Sequence, residues 1–192
     1  MKVSDNEFRV WIGCLACYND GNLIGDWYPA TEAGEVTTKA LHARHGIATD
    51  DEGHVLGAEI YGPHEELWVF DLDNAPRGEH REMSPADAQR IADTVAELER
   101  QGIDADAYAA FLGNYGYEFT TDHIDDFEEA YCGVYKDRED YAYELADDLG
   151  LIPTDNAWPA SYIDWERAAR DLFMDYFDCP AREGGIHVFR SI

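Results

Sequence analysis

At 192 residues the chain has room for one ordinary domain or for two to three small ones, with a buried core. Its 41 Asp and Glu against 14 Lys and Arg give a net charge of −27 at pH 7, a field that repels nucleic acid and anionic membrane and attracts basic grooves. An aromatic content of 13% excludes a disordered acidic tail, because such tails lack the large apolar side chains that offset chain entropy.

The opening FRVWIGCLACYNDGNLIGDWY reads as a strand, a turn and a return strand: Phe8, Val10 and Ile12 alternate with Arg9 and Trp11. Asn19-Asp20-Gly21-Asn22 supplies turn residues that tolerate positive φ. A short helix is predicted around Thr37–Arg44, and Leu67–Phe70 as a strand closed by Asp71 to Pro76. From Ser84 the pattern changes. Ser84 as N-cap, Pro85 at the first helical position and Asp87 three residues after the cap start a helix. Ala88, Ile91, Val95 and Leu98 form its apolar stripe, Gly102 ends it, and Asp104–Leu112 reads as a second helix. From His123, Ile124, Phe127, Tyr131, Val134 and Tyr135 fall on one helical face, with Asp125, Asp126, Glu128 and Glu129 on the other. A further helix turns Tyr141, Leu145 and Leu149 inward and Glu139, Asp140, Glu144, Asp147 and Asp148 outward, before Gly150 and Pro153. Ser161 with Asp164 reads as a capping box. An apolar stripe of Trp165, Ala169, Leu172, Phe173 and Tyr176 follows, and His187–Phe189 reads as a closing strand.

These elements predict an α+β chain of three small domains in series. They are an α+β unit over 1–83 with antiparallel strands, a central helical unit over 84–121, and a helix-rich α+β unit over 122–192. The first holds 16 acidic and 6 basic side chains, the second 7 and 2, the third 18 and 6, so no single tail carries the acid. Three units in series make an elongated molecule that can lay its charge along a line. No apolar run approaches the length of a membrane span. Four scattered cysteines, with no signal segment read ahead of them, fit a reduced cytoplasm rather than a secreted framework.

Tests for chemistry return little. LWVFDLDN ends a hydrophobic strand in Asp71-x-Asp73, the carboxylate spacing of magnesium-dependent phosphotransfer, but Ala75 replaces the Thr or Val such a loop uses. Cys14-x-x-Cys17 with His42-x-x-His45 has zinc-ligand types. On a continuous strand, however, positions i and i+3 face opposite sides, and the expectation is two semi-buried thiols and two surface histidines. No metal ligand, cofactor or catalytic residue is therefore assigned. Adjacent carboxylates such as Asp125–Asp126 match no calcium loop and read as a solvated face.

Charge on this scale suits imitation of nucleic acid. B-DNA carries about one negative charge per 1.7 Å of axis, so 41 carboxylates in line would match about 70 Å, or roughly 20 base pairs. Salt-adapted acidity, in an ordinary interaction domain, would produce the same composition. A third reading is a metal-dependent phosphoester enzyme using Asp71 and Asp73.

Particular residues add to this. RVWIGCLACYNDGNLIGDWYPA (9–30), with Tyr18, Asn19, Gly21, Gly25 and Trp27, resembles the opening of the ArdA antirestriction proteins. HEELWVFDLDNAP (64–76) is similar to the acidic-aromatic segment that closes that family's first domain. FEEAYCGVYKDREDYAYEL (127–145) resembles its antirestriction motif, with Ala130, Tyr131, Gly133, Tyr135, Asp140, Tyr141 and Ala142 in the matching places. WERAARDLFMDYF and GIHVF fit the family's C-terminal end. The resemblance implies a non-enzymatic DNA mimic, active in the cytoplasm and carried on conjugative elements, that occupies the specificity and methyltransferase subunits of type I restriction–modification enzymes. It implies a homodimer joined through the C-terminal domain, with Ala130, Tyr131, Gly133, Tyr135, Tyr141 and Ala142 near the contact. By periodicity alone the three tyrosines are core or interface residues. On this reading the mimicking surface comprises Asp20, Asp26, Glu59, Glu65, Glu66, Asp87, Glu97, Asp104, Asp125, Asp126, Glu128, Glu129, Asp137, Glu139, Asp140, Glu144, Asp147 and Asp148.

Overall fold

The structure, a computed structural model, describes residues 7–50, 54–56, 64–78, 82–152 and 160–192. The chain is mixed α+β, as expected, and divides into two compact units, Met1–Gly102 and Ile103–Ile192. The boundary lies between the two helices that the sequence groups as a central domain.

In the first unit, β1 (Arg9–Cys14) is the middle strand of an antiparallel sheet, flanked by β2 (Gly25–Pro29) and β3 (Leu67–Asp73). The alternation read from the sequence is what buries one face: Val10 and Ile12 are fully buried, and Trp11 on the other face is half-exposed. Trp11 lies across its neighbours so closely that a Cβ at Gly25 would sit 2.3 Å from the indole. Only glycine fits there. The connection from β1 to β2 contains a short helix, α1 (Leu15–Asn19), ahead of the turn at Gly21, whose φ is 81°. After β2 come a 3-10 segment (Ala30–Glu35) and α2 (Thr38–Arg44), the latter capped by the Thr37 hydroxyl, which accepts from the Ala40 amide at 3.2 Å. β3 runs three residues past Phe70 to Asp73, and Asn74, whose φ is 56°, turns the chain out of the sheet.

The next helix, α3 (Pro85–Gln101), belongs to this unit and packs against the 3-10 segment, where Ala30 and Ala33 are fully buried. Its caps are those expected: the Ser84 hydroxyl accepts from the Asp87 amide at 3.1 Å, and Gly102 closes the helix in the left-handed conformation. The buried face is rotated from the predicted stripe. Ala88, Ile91, Ala92, Thr94 and Leu98 point inward, while Val95 is half-buried. Thr94 tolerates burial because its hydroxyl donates to the Arg90 carbonyl one turn back, at 3.0 Å.

The second unit is built on a sheet in the order β4-β6-β5, formed by β4 (Tyr131–Tyr135), β5 (Tyr176–Pro180) and β6 (Ile186–Arg190). Helices α4 (Ala105–Tyr115), α5 (Ile124–Ala130), α6 (Arg138–Asp148) and α7 (Trp165–Leu172) complete it. Tyr108, Phe111, Phe127 and Phe189 are its buried aromatic centre, with Phe127 5.3 Å from Tyr108 and 5.7 Å from Phe111 in edge-to-face contact.

Four expectations are corrected here. The predicted helix through Tyr135 stops at Ala130, and Tyr131–Tyr135 becomes β4; Gly133, with φ of 117°, sits at a register shift against β6, and Val134 faces solvent. Leu149 is exposed rather than inward, and α7 is capped by Asp164 alone, which accepts from the Arg167 amide at 3.0 Å. Tyr176 leaves the helical stripe to start β5.

Candidate functional site

Of the acidic residues assigned to a partner-binding surface, Asp20, Glu65, Glu66, Asp104, Asp125, Asp126, Glu128, Glu129, Glu139, Glu144, Asp147 and Asp148 are exposed. Asp26, Asp87, Glu97, Asp137 and Asp140 are half-buried, and Glu59 lies outside the described residues. Local partners divide them further. Asp26 pairs with Arg44 at 2.9 Å, and Asp87 and Glu97 pair with Arg90 and Arg100. Asp104 and Asp137 cap α4 and α6, accepting from the Ala107 and Asp140 amides at 2.9 Å. Two of these carboxyls are held below the ordinary carboxylate range. The Ser84 hydroxyl and then Arg90 do this for Asp87, and the Asp140 amide does it for Asp137. Asp126 accepts from His123 at 3.1 Å. The exposed acids of α5 and α6 lie on turns and faces that present them to water, and Asp125 and Asp126 at the start of α5 are favoured by the helix dipole.

The segment that resembles an antirestriction motif, residues 127–145, packs inside the second unit. Ala130 is fully buried, and Tyr141 and Ala142 are nearly so. The Tyr131 ring stacks on Phe127 at 4.9 Å, its hydroxyl is 3.0 Å from His187 Nδ1, and burial pushes its phenol up to about 12. Tyr135 donates to the Cys132 carbonyl at 2.9 Å and meets the Tyr141 ring edge-to-face at 4.7 Å. Tyr141 also touches Tyr176 at 5.3 Å and Phe173 at 5.9 Å. Tyr131 thus packs with Phe127 of α5 and Phe189 of the sheet, while Tyr135 and Tyr141 pack with Phe173 and Tyr176 in a separate cluster beside α6 and α7.

Asp71 and Asp73 are exposed on β3, an edge strand of an antiparallel sheet. Asp71 accepts from the following Leu72 amide at 2.9 Å. A phosphotransfer loop of the type considered above is carried on a parallel strand, whereas among the described residues the strand neighbour of β3 is β1, paired antiparallel.

The cysteine–histidine group differs from its expectation. β1 ends at Cys14 and α1 begins at Leu15, so Cys14 and Cys17 are separated by a helical turn rather than by three strand positions, and they face the same way. Both are buried. His42 joins them from α2, with Nε2 3.3 Å from Cys17 Sγ and Nδ1 2.7 Å from the Thr38 carbonyl. His45 does not: it is exposed and its Nε2 is 3.0 Å from the Gly25 carbonyl. The fourth member is His64, unassigned in the sequence reading, whose Nδ1 is 3.3 Å from both Cys14 Sγ and Cys17 Sγ. Burial, and then His42, lower the His64 pKa; burial and the neighbouring Cys14 push Cys17 up to about 12. His64 had no local signal, because it reaches the cluster only through the pairing of β3 with β1, which sets Leu67 opposite Cys14.

Two small antiparallel sheets, each with its own helices and with carboxylates over the exposed turns, define an acidic α+β protein. A family model described as antirestriction protein (ArdA) matches residues 10–184, and the chain belongs to that family. A comparison with curated proteins gave no match. Among the described residues no helix is long and apolar enough to cross a membrane.

Proposed function

We propose that this antirestriction protein acts without catalysis, as a mimic of B-DNA that competes for the DNA groove of type I restriction–modification enzymes. The observation that carries the reading is a net charge of −27 on a folded chain, with acids exposed in both units. Lysines and arginines that hold phosphates in the specificity and methyltransferase subunits would take carboxylates instead, so that inhibitor and DNA exclude each other. The active species in this proposal is a cytoplasmic homodimer joined through the C-terminal part of the chain, in which Tyr131, Tyr135 and Tyr141, packed within the unit, would shape that contact rather than touch the enzyme.

The test is ATP-dependent cleavage of unmodified DNA by a purified type I enzyme, titrated with the protein. Loss of cleavage near one dimer per enzyme, relieved by added enzyme, is the expected result. Undiminished cleavage by several such enzymes, with the protein folded, would favour salt-adapted acidity as the origin of the charge.

A further inference from the structure

We infer that Cys14, Cys17, His42 and His64 form a structural zinc site that ties together the first unit, an inference independent of the mode of antirestriction. Their four ligand atoms, Cys14 Sγ, Cys17 Sγ, His42 Nε2 and His64 Nδ1, converge from four places in the chain: the end of β1, α1, α2 and the entry to β3. All lie within 4.8 Å of one another, and three sulfur–nitrogen pairs are at 3.3 Å. A tetrahedral zinc with sulfur at about 2.3 Å and nitrogen at about 2.0 Å sets its ligand atoms roughly 3.3–3.8 Å apart. The observed spread closes onto that geometry with shifts of under about 1 Å.

Electronic arrangement agrees with the spacing. The His42 Nδ1 hydrogen points to the Thr38 carbonyl at 2.7 Å, which leaves the Nε2 lone pair aimed at Cys17. This is the outer contact by which metal-bound histidines are oriented. Two sulfurs and two imidazole nitrogens in a tetrahedral set select zinc among the common divalent ions. Zinc would displace the two thiol protons to solvent, and two thiolates balance its charge, so the centre is neutral. Neutrality matters because the four side chains are 0 to 3% exposed, where an uncompensated charge is strongly disfavoured. Four protein ligands with no open position make the site structural, not catalytic.

The site would fasten His64, and with it the start of β3, to the β1–α1 junction, reinforcing the backbone bond from the Leu15 amide to the Glu66 carbonyl at 3.0 Å. The expected measurement is one zinc per chain by elemental analysis of the full-length protein, purified under reducing conditions and desalted. Cobalt(II) in place of zinc should give the intense ligand-field bands of a tetrahedral ion together with thiolate-to-cobalt charge transfer. Cys17→Ser and His64→Gln should fall below about a tenth of a metal per chain, while His45→Gln keeps its full complement. Chelation should lower the melting temperature of the first unit by about 10 °C or more. A wild-type chain that stays metal-poor after zinc reconstitution with its circular dichroism intact would overturn the proposal, as would wild-type stoichiometry in His64→Gln. Should the variants not fold, the wild-type cobalt spectrum decides: weak octahedral bands without charge transfer refute the site.

Discussion

Asp106 is buried in the first turn of α4, and both of its carboxylate oxygens accept from the Arg182 guanidinium, at 2.7 and 3.1 Å. The pairing raises the Arg182 pKa. Removing the guanidinium withdraws two charge-assisted bonds from a carboxylate that water reaches poorly, whereas Arg182 itself is half in solvent and its charge is partly screened. Arg182→Ala should therefore destabilise the second unit by about 2 kcal/mol, read as a shift of the urea midpoint at unchanged slope. Tyr131 makes a different forecast. Its hydroxyl meets His187 Nδ1 at 3.0 Å while its ring stacks on Phe127. Tyr131→Phe keeps the ring and should cost about 1 kcal/mol, with antirestriction retained at temperatures where the variant is folded. Loss of inhibition in a fully folded Tyr131→Phe would instead assign the hydroxyl to the partner contact.

At the scale of elements, carboxylates do structural work at helix starts before any partner is considered. Asp87 and Asp137 both lie at the beginnings of helices, and both have pKa values lowered by hydrogen bonds to the ionised form. A lowered folded-state pKa means stability that is complete above the unfolded carboxylate value, near 3.8, and that fades as pH falls through the lower folded value. The melting temperature of wild type minus that of Asp87→Asn should accordingly be constant from pH 7 to pH 5 and shrink only below about pH 4. A difference that shrinks between pH 7 and pH 6 would place the effect elsewhere. The Ser84–Asp87 cap was legible in the sequence because it depends on neighbours three residues apart, whereas Thr37 and Asp104, read as the first residues of their helices, prove to be the N-caps, accepting from the Ala40 and Ala107 amides. The α5–β4 switch was not legible. Phe127 and Tyr131 keep helical spacing across it, and only pairing with β6, more than fifty residues on, turns Tyr131–Tyr135 into a strand. The same limit hid His64, whose role is set by a strand pairing, and the common facing of Cys14 and Cys17, which rests on where β1 stops.

For the molecule as a whole, the net charge of −27 acts on folding and on binding with opposite signs. Within the chain, carboxylates exposed along α5 and α6 repel one another, and 14 basic residues are too few to neutralise 41 acids. Added salt screens that repulsion, shortening its reach from about 10 Å at 0.1 M to about 3 Å at 1 M, and should raise the urea midpoint. In the proposed mimicry the same screening would weaken attraction between carboxylates and a basic groove, so inhibition should fall on the order of tenfold or more over a range of salt in which the enzyme still binds DNA. Because exposed pairs contribute about 0.2–1 kcal/mol each, single reversals such as Glu128→Lys or Glu144→Lys should change inhibition little, and several together should abolish it. Salt-adapted acidity predicts another pattern, in which salt stabilises the fold and activity rises with it. Titrating inhibition and stability against sodium chloride on one preparation separates the two: curves that diverge support mimicry, and curves that climb together refute it.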